Sequence, residues 1–236
     1  MRHALISDLH GNALALDAVL RDAARAGYDQ LVCLGDVATL GPRPSEVLAR
    51  LADLRCPCIL GNHDEFMIDA DLVRSYSESP LIVRSVDETR ARLSEDELAF
   101  IRSFERTRTI DGVFLFHGTP RSNMEDLLAE TPADRVDEML DGHQARVLVG
   151  GHTHIQMLRQ HHGMLIVNTG SLGMPFREYV AGGPPVILPH AEYAIIEIDA
   201  GKVSVDLRKI SLDSRALVNQ IDGWDNPLAG PLRANF

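Results

Sequence analysis

Apolar residues in this chain come in short runs, and the runs stop abruptly at polar ones. "HALIS" at residues 3–7 gives way to "DLHGN". In the next segment, "ALALDAVLRDAARAG", Leu14, Leu16, Val19 and Leu20 recur near helical spacing. Asn12 stands where a helix needs a cap, and Gly27 where it needs a stop. "QLVCLGD" reads as a second strand, "SEVLARLADL" as a second helix capped by Ser45, and "CPCILGNHD" as a third strand. Strands alternating with helices predict a parallel sheet with helices on its faces.

The pattern changes at residue 64. From there to 108 it is mostly helical and polar, and "SEDELAFIRSF" opens on a capping box of Ser94 and Glu97. Strands return in "GVFLFHG", "ARVLVGGH", "GMLIVNTG", "AEYAIIEID" and "KVSVDLRKI", the last two flanking Ala200-Gly201 as a hairpin would. Residues 214–236 are rich in Gly, Pro, Asn and Ala and read as an irregular tail. No linker divides the chain, so the expectation is one domain over 1–236, two-sheeted, with a helical insert at 64–108.

The polar residues that end the strands carry the chemistry. The first run ends in Asp8 and His10, the second in Asp36, and the third in Asn62, His63 and Asp64. Two later runs end in His117 and in His152 and His154. Five apolar runs thus deliver oxygen or imidazole ligands at their C-terminal ends, where α/β sheets bind ligands. Neighbouring glycines let the backbone turn sharply there. Imidazole and carboxylate without thiolate suit manganese, iron, zinc and related ions, and the set looks like a two-metal site. Taken singly, each is an ordinary polar turn residue; five in order favour the metal reading.

Composition narrows the partners. The chain has 236 residues, 45% of them hydrophobic, and a formal net charge of −11. That charge argues against stable nucleic-acid binding, though a bound metal could still draw an anionic substrate. No apolar stretch is long enough to span a membrane and no signal peptide is evident, which makes a soluble cytoplasmic protein the default. Cys33, Cys56 and Cys58 read as buried reduced thiols.

The motifs "DLH" at 8–10, "GD" at 35–36, "GNHD" at 61–64, "HG" at 117–118 and "GHTH" at 151–154 resemble those of the calcineurin-like metallophosphoesterases, in that family's order. The likeness is to the small bacterial and archaeal phosphodiesterase branch. "NTGSLG" at 168–173 is similar to the family's "NPGS" segment, with Thr169 in place of proline. The resemblance implies a four-layer α/β/β/α sandwich and two divalent ions, manganese first, with iron, zinc, nickel, cobalt or magnesium as alternatives. It implies that Asp8, His10 and His154 hold one ion, that Asn62, His117 and His152 hold the other, and that Asp36 bridges them. His63 would face the substrate phosphate and either stabilise charge or protonate the leaving oxygen. A metal-bound hydroxide would attack phosphorus in line. Asp64 would orient a neighbour, and Asn12 would serve as helix cap and rim of the site. Arg121 and Arg177 are weaker substrate-binding candidates, each as readily a solvated or ion-paired arginine.

The expected activity is hydrolysis of a phosphate-ester small molecule or nucleotide, diesters first, with monoesters and dinucleoside polyphosphates as alternatives. The "DRG" of protein phosphatases is absent after Asp36, where "VATLGPRP" stands. A competing class is an interaction module on the same fold, as in one trafficking-complex subunit, but such a protein is free to lose ligands. Residues 174–191 form a long segment expected to shape the rim of the site. His161, His162 and His143 read as surface residues. Apolar positions in 64–108 and the Pro-rich 184–189 allow a homo-oligomer.

Overall fold

A computed structural model describes residues 1–180 and 182–236. In chain order, β1 (Arg2–Ile6), α1 (Ala13–Ala26), β2 (Gln30–Cys33) and α2 (Pro44–Asp53) are followed by a helical stretch. That stretch comprises α3 (Asn62–Ile68), α4 (Leu72–Tyr76), α5 (Pro80–Arg92) and α6 (Glu95–Arg102). Next come β3 (Arg108–Ile110), β4 (Val113–Leu115), α7 (Ala133–Leu140), β5 (Val147–Gly150), β6 (Met157–His161) and β7 (Met164–Asn168). The hairpin β8 (His190–Asp199) and β9 (Lys202–Ser211) leads to α8 (Ser214–Ile221) and α9 (Ala229–Arg233).

Two mixed sheets result. One has the order β2-β1-β8-β9 and the other β3-β4-β5-β7-β6. In the first, β1 pairs in parallel with β2 and antiparallel with β8. In the second, β4, β5 and β7 are parallel, with β3 and β6 antiparallel at the edges.

Strand alternation sets the layers, because successive side chains face opposite sides of a sheet. Ala4 and Ile6 of β1 pack outward with Leu16 and Val19 of α1 and Val47 of α2. Leu5 between them points inward, to Val113, Val147, Val149 and Val167 of the other sheet. On the far side, Leu148 and Ile166 pack on Val136 and Met139 of α7. The layers are therefore α/β/β/α, as the resemblance implied.

The expected caps at Asn12 and Ser94 are present: Asn12 accepts from the Ala15 N–H, and Ser94 and Glu97 form the capping box. Ser45 is not a cap. Pro44 occupies the first turn of α2, its fixed φ starting the helix one residue early, and Arg43 takes the cap position. "CPCIL" is not a full strand. It makes only the bridges Cys33–Cys58 and Ile59–Glu105, because Pro57 has no N–H to give and the chain turns into α3 at Asn62.

The tail is not irregular. Asp213 caps α8, and Leu217, Ile221 and Leu232 are buried. Ile221 and Leu232 pack against Met174 and Ile187 of the loop before β8. In that loop, which holds the 174–191 segment up to the start of β8, Phe176 bridges to Ile187, and residue 181 lies outside the described residues. The short strands β3 and β6 were not foreseen. All three cysteines are free and buried. Among the described residues no helix is long and apolar enough to cross a membrane.

Candidate metal centre

Loops after β1, β2, β4 and β5 meet the start of α3 at one end of the sandwich. The loops continue their strands' ladder for a few bonds: Asp8 N–H donates to Gly35 O at 2.9 Å, His10 N–H to Asp36 O at 2.9 Å, and Gly151 N–H to His117 O at 2.8 Å. Asp8, His10, Asp36, His152 and His154 all have left-handed backbones, with φ from 45 to 71°. Asp and His tolerate this region better than most residues, but it still carries strain. Gly61 is required between them, because a Cβ there would run into the Asp36 carboxylate and N–H.

Two groups of donor atoms result, Asp8 with His10 and His154, and Asp36 with His117 and His152, each buried. Backbone carbonyls hold three of the imidazoles by Nδ1: Thr39 O for His10 at 3.2 Å, Leu34 O for His117 at 2.7 Å, and Met174 O for His154 at 2.7 Å. With Nδ1 donating, each ring presents a bare Nε2 lone pair. Yet His10 Nε2 lies 3.1 Å from His154 Nε2, and His117 Nε2 lies 3.2 Å from Asn62 Oδ1. With the rings neutral, acceptor faces acceptor in both pairs. Asp8 Oδ1 and His152 Nε2 are also buried without a hydrogen-bond partner. Such convergence of lone pairs suits a cation between them, and the donor set fits divalent metal ions. Asp36 faces both groups, with Oδ1 3.5 Å from His117 Nε2 and Oδ2 3.8 Å from His10 Nε2.

The field in the cluster is strong. Burial would raise the Asp8 carboxyl, but the charge and hydrogen bond of His154, with help from His117, bring it down to about 2. Asp36 is likewise opposed by burial, and His117 and His63 hold it well below the carboxylate range. Burial, then His154, pushes His10 down to about 3; burial, then His117, pushes His152 down to about 4. His117 moves the other way. Burial opposes its charge, but Asp36 and Asp8 lift it to about 10. Burial also lowers His63.

Outer residues strap the loops. Asp64, fully buried, accepts from the N–H groups of Asp36, Val37 and Gly61 at 2.7–3.0 Å. Burial, then the Asp36 charge, pushes its carboxyl up to about 7. Asn168 donates to Gly151 O and Thr153 Oγ1, and Ser171 Oγ donates to Asp8 O. "NTGSLG" thus ties the Asp8 loop to the "GHTH" loop.

The remaining candidates divide. His63 joins the cluster: its backbone N–H donates to Asp36 Oδ1 at 2.9 Å, and its ring meets His10 edge-on at 5.3 Å. Asn12 caps α1, donates to Gly173 O and accepts from Gln220. Arg121 does not reach the cluster; it is exposed and held by Glu125. Arg177 likewise pairs with Glu178.

Sequence reading missed Asp126, whose Oδ1 lies 3.3 Å from His152 Nε2 while Oδ2 accepts from Tyr179 OH at 2.7 Å. It missed Tyr76 too, whose ring centroid lies 6.3 Å from His63 and 6.4 Å from His152. Neither sits in a motif, and only the fold brings them to the site.

The sequence model of the calcineurin-like phosphoesterase superfamily domain matches residues 1–200. The chain belongs to that superfamily. As a metallophosphoesterase it is a metal-dependent hydrolase of phosphoric esters. Phosphodiesterase YfcE of Escherichia coli K12 is 25% identical over 231 residues, which cover 94% of this chain and 97% of YfcE. An uncharacterized protein of Methanocaldococcus jannaschii is 25% identical over 236 residues, 94% of each chain. Among solved structures, a metallophosphoesterase from Sphaerobacter thermophilus superposes over the full length of both chains with TM-score 0.77 and 25% identity. A hypothetical protein from Pyrococcus horikoshii, 18% identical, shares the fold with TM-score 0.79 over 98% of this metallophosphoesterase.

Proposed function

We propose that the protein is a single-domain cytoplasmic phosphodiesterase with a dinuclear metal centre, manganese being the first choice of ion. One observation carries the dinuclear reading: two buried triads of ligand atoms lie side by side, and Asp36, a member of the second, has Oδ1 3.5 Å from His117 of its own triad and Oδ2 3.8 Å from His10 of the other. In this reading Asp8, His10 and His154 hold one ion, Asn62, His117 and His152 the other, and Asp36 bridges them. The ions, when bound, supply a water-derived nucleophile at neutral pH and offset charge on the phosphoryl group. The protein's own part is to fix the donors. Carbonyls from Leu34, Thr39 and Met174 set the imidazole tautomers, and Asp64 and Ser171 hold the loops. His63, kept neutral by burial, donates an N–H to a phosphoryl oxygen. The three free, buried cysteines accord with the cytoplasmic placement.

Two things support diesters over monoesters. The relative YfcE is a phosphodiesterase by name. Asp126 adds a partly exposed carboxylate beside His152, and a monoester dianion meets one more unit of repulsion there than a diester monoanion. The test is hydrolysis of bis-p-nitrophenyl phosphate and p-nitrophenyl phosphate by metal-stripped protein, with and without added manganese. Manganese-dependent turnover, faster on the diester and lost in Asp36→Asn, is expected. No turnover with any divalent ion, from folded protein, would leave a narrowly selective enzyme or an interaction module.

A further inference from the structure

A second group of metal-ligating side chains gathers at the opposite end of the five-stranded sheet. There the turn between β6 and β7 brings His161 and His162 against Asp137 of α7. Consecutive residues of a strand point to opposite faces. His162 escapes that rule because its backbone is left-handed, with φ 47°, and its ring folds back beside His161 at 4.3 Å between centroids. Both imidazoles address one carboxylate. His161 Nε2 lies 2.7 Å from Asp137 Oδ1, and His162 Nε2 lies 3.4 Å from each Asp137 oxygen.

We propose that Asp137, His161 and His162 form a zinc-class metal site, separate from the buried centre, that ties α7 to the β6–β7 turn. Two imidazoles and a carboxylate are a common zinc donor set, with bonds of about 2.0–2.2 Å. Tetrahedral geometry then places donor atoms about 3.4 Å apart. The His162–Asp137 spacing already has that value, and the His161–Asp137 contact has only to open by some tenths of an ångström as the ion replaces the bridging proton. One imidazole on Asp137 is what a plain hydrogen bond explains. Two imidazoles on it, from adjacent residues turned to the same side, are what a three-donor site requires.

The fourth position has room. Asp137 and His162 line an open cavity of about 700 Å³, together with His143, Arg146 and Met164. His161 is buried, so one ligand is anchored in the fold, while His162 and Asp137 are open to solvent and accept the ion from it. The ion would clamp α7 to the β6–β7 hairpin. Arg159 of β6 already works in that direction, donating to Leu128, Ala129 and Thr131 carbonyls in the segment that leads into α7. That segment carries Asp126, so the clamp steadies a loop that borders the buried centre.

The experiment is equilibrium dialysis in zinc buffers, with zinc per chain counted by plasma emission, on wild type, His162→Ala, Asp137→Asn and His143→Ala. Comparing variants cancels whatever the buried centre takes up, so the outcome is independent of the proposed activity. At micromolar free zinc, wild type and His143→Ala should hold one more zinc than His162→Ala and Asp137→Asn. Only the first two should gain melting temperature from that last equivalent. Equal zinc in all four proteins would overturn the site. So would a difference that emerges only at millimolar zinc, which would mark an adventitious ion.

Discussion

His63→Ala separates charge stabilisation from proton donation. The ring is the part removed; the bond to Asp36 Oδ1 comes from the backbone N–H and survives. Metal content should therefore hold. Burial lowers the His63 pKa, and cations nearby would lower it further, so at pH 8 the ring is a neutral hydrogen-bond donor. Its Nδ1 is buried without a partner. Losing one donor to a developing oxyanion costs about 2.7–4 kcal/mol, or about 10²–10³ in turnover. The assay is a series of methyl aryl phosphates with phenols of increasing pKa, run at saturating manganese. A neutral donor to a phosphoryl oxygen predicts the same fold-loss across the series. A loss that grows with phenol pKa would refute the argument and make His63 the acid that protonates the leaving oxygen. A loss below tenfold, or loss of metal, would remove His63 from the chemistry or place it among the ligands.

Three further outcomes follow from the electrostatics. Asp126→Asn removes the carboxylate beside His152 and should raise monoester hydrolysis relative to diester by several-fold at unchanged metal content, since one exposed charge contributes on the order of 1 kcal/mol; an unchanged ratio would dismiss the specificity role. His117 titrates near 10 without metal, above its ordinary 6.5, so its stabilising charge is fully present below about 6.5 and lost as pH climbs through 10. Urea midpoints of metal-free protein should fall across that window, and manganese uptake at pH 8 should release at least one proton, read by calorimetry in buffers of different ionisation heat; uptake without proton release would contradict the assignment.

How far the cluster was legible depended on where each residue sits. Asp8, Asp36 and His117 follow apolar runs, and His152 and His154 follow one that ends in two glycines, so strand direction alone aims them at one end of a sheet. Asn62 and His63 were legible for a different reason than supposed. "CPCIL" is no full strand, and the first turn of α3 presents both residues. Asp126 lay in no motif, and a loop between β4 and α7 with no periodicity hides its neighbour in space. The helices of the tail were hidden by Gly, Pro and Asn between Gly223 and Gly230, although Asp213-Ser214 was a cap signal like the one read at Ser94. The α7 contact to the β6–β7 turn was hidden more deeply. A pair of adjacent histidines says surface turn until a left-handed backbone brings both rings to one carboxylate.

The left-handed backbones explain why the buried cluster takes the form it does. Of eleven non-glycine residues with positive φ among the described residues, five belong to it. Each costs about 1–2 kcal/mol against an ordinary conformation, and the arrangement persists because the sandwich over-determines it. The ladder bonds from Asp8 and His10 to the loop after β2, and from the "GHTH" loop to His117, leave the chain no relaxed alternative. Strain and facing lone pairs act together. A protein without ions carries the strain and eases the facing lone pairs only by protonating His117 and His154, which neighbouring carboxylates raise, while His10 and His152 stay neutral. Cations held between the donors would relieve the rest. The fold therefore meets the cost of assembling the donors in advance, so that metal binding energy would go to holding the metal rather than gathering the ligands.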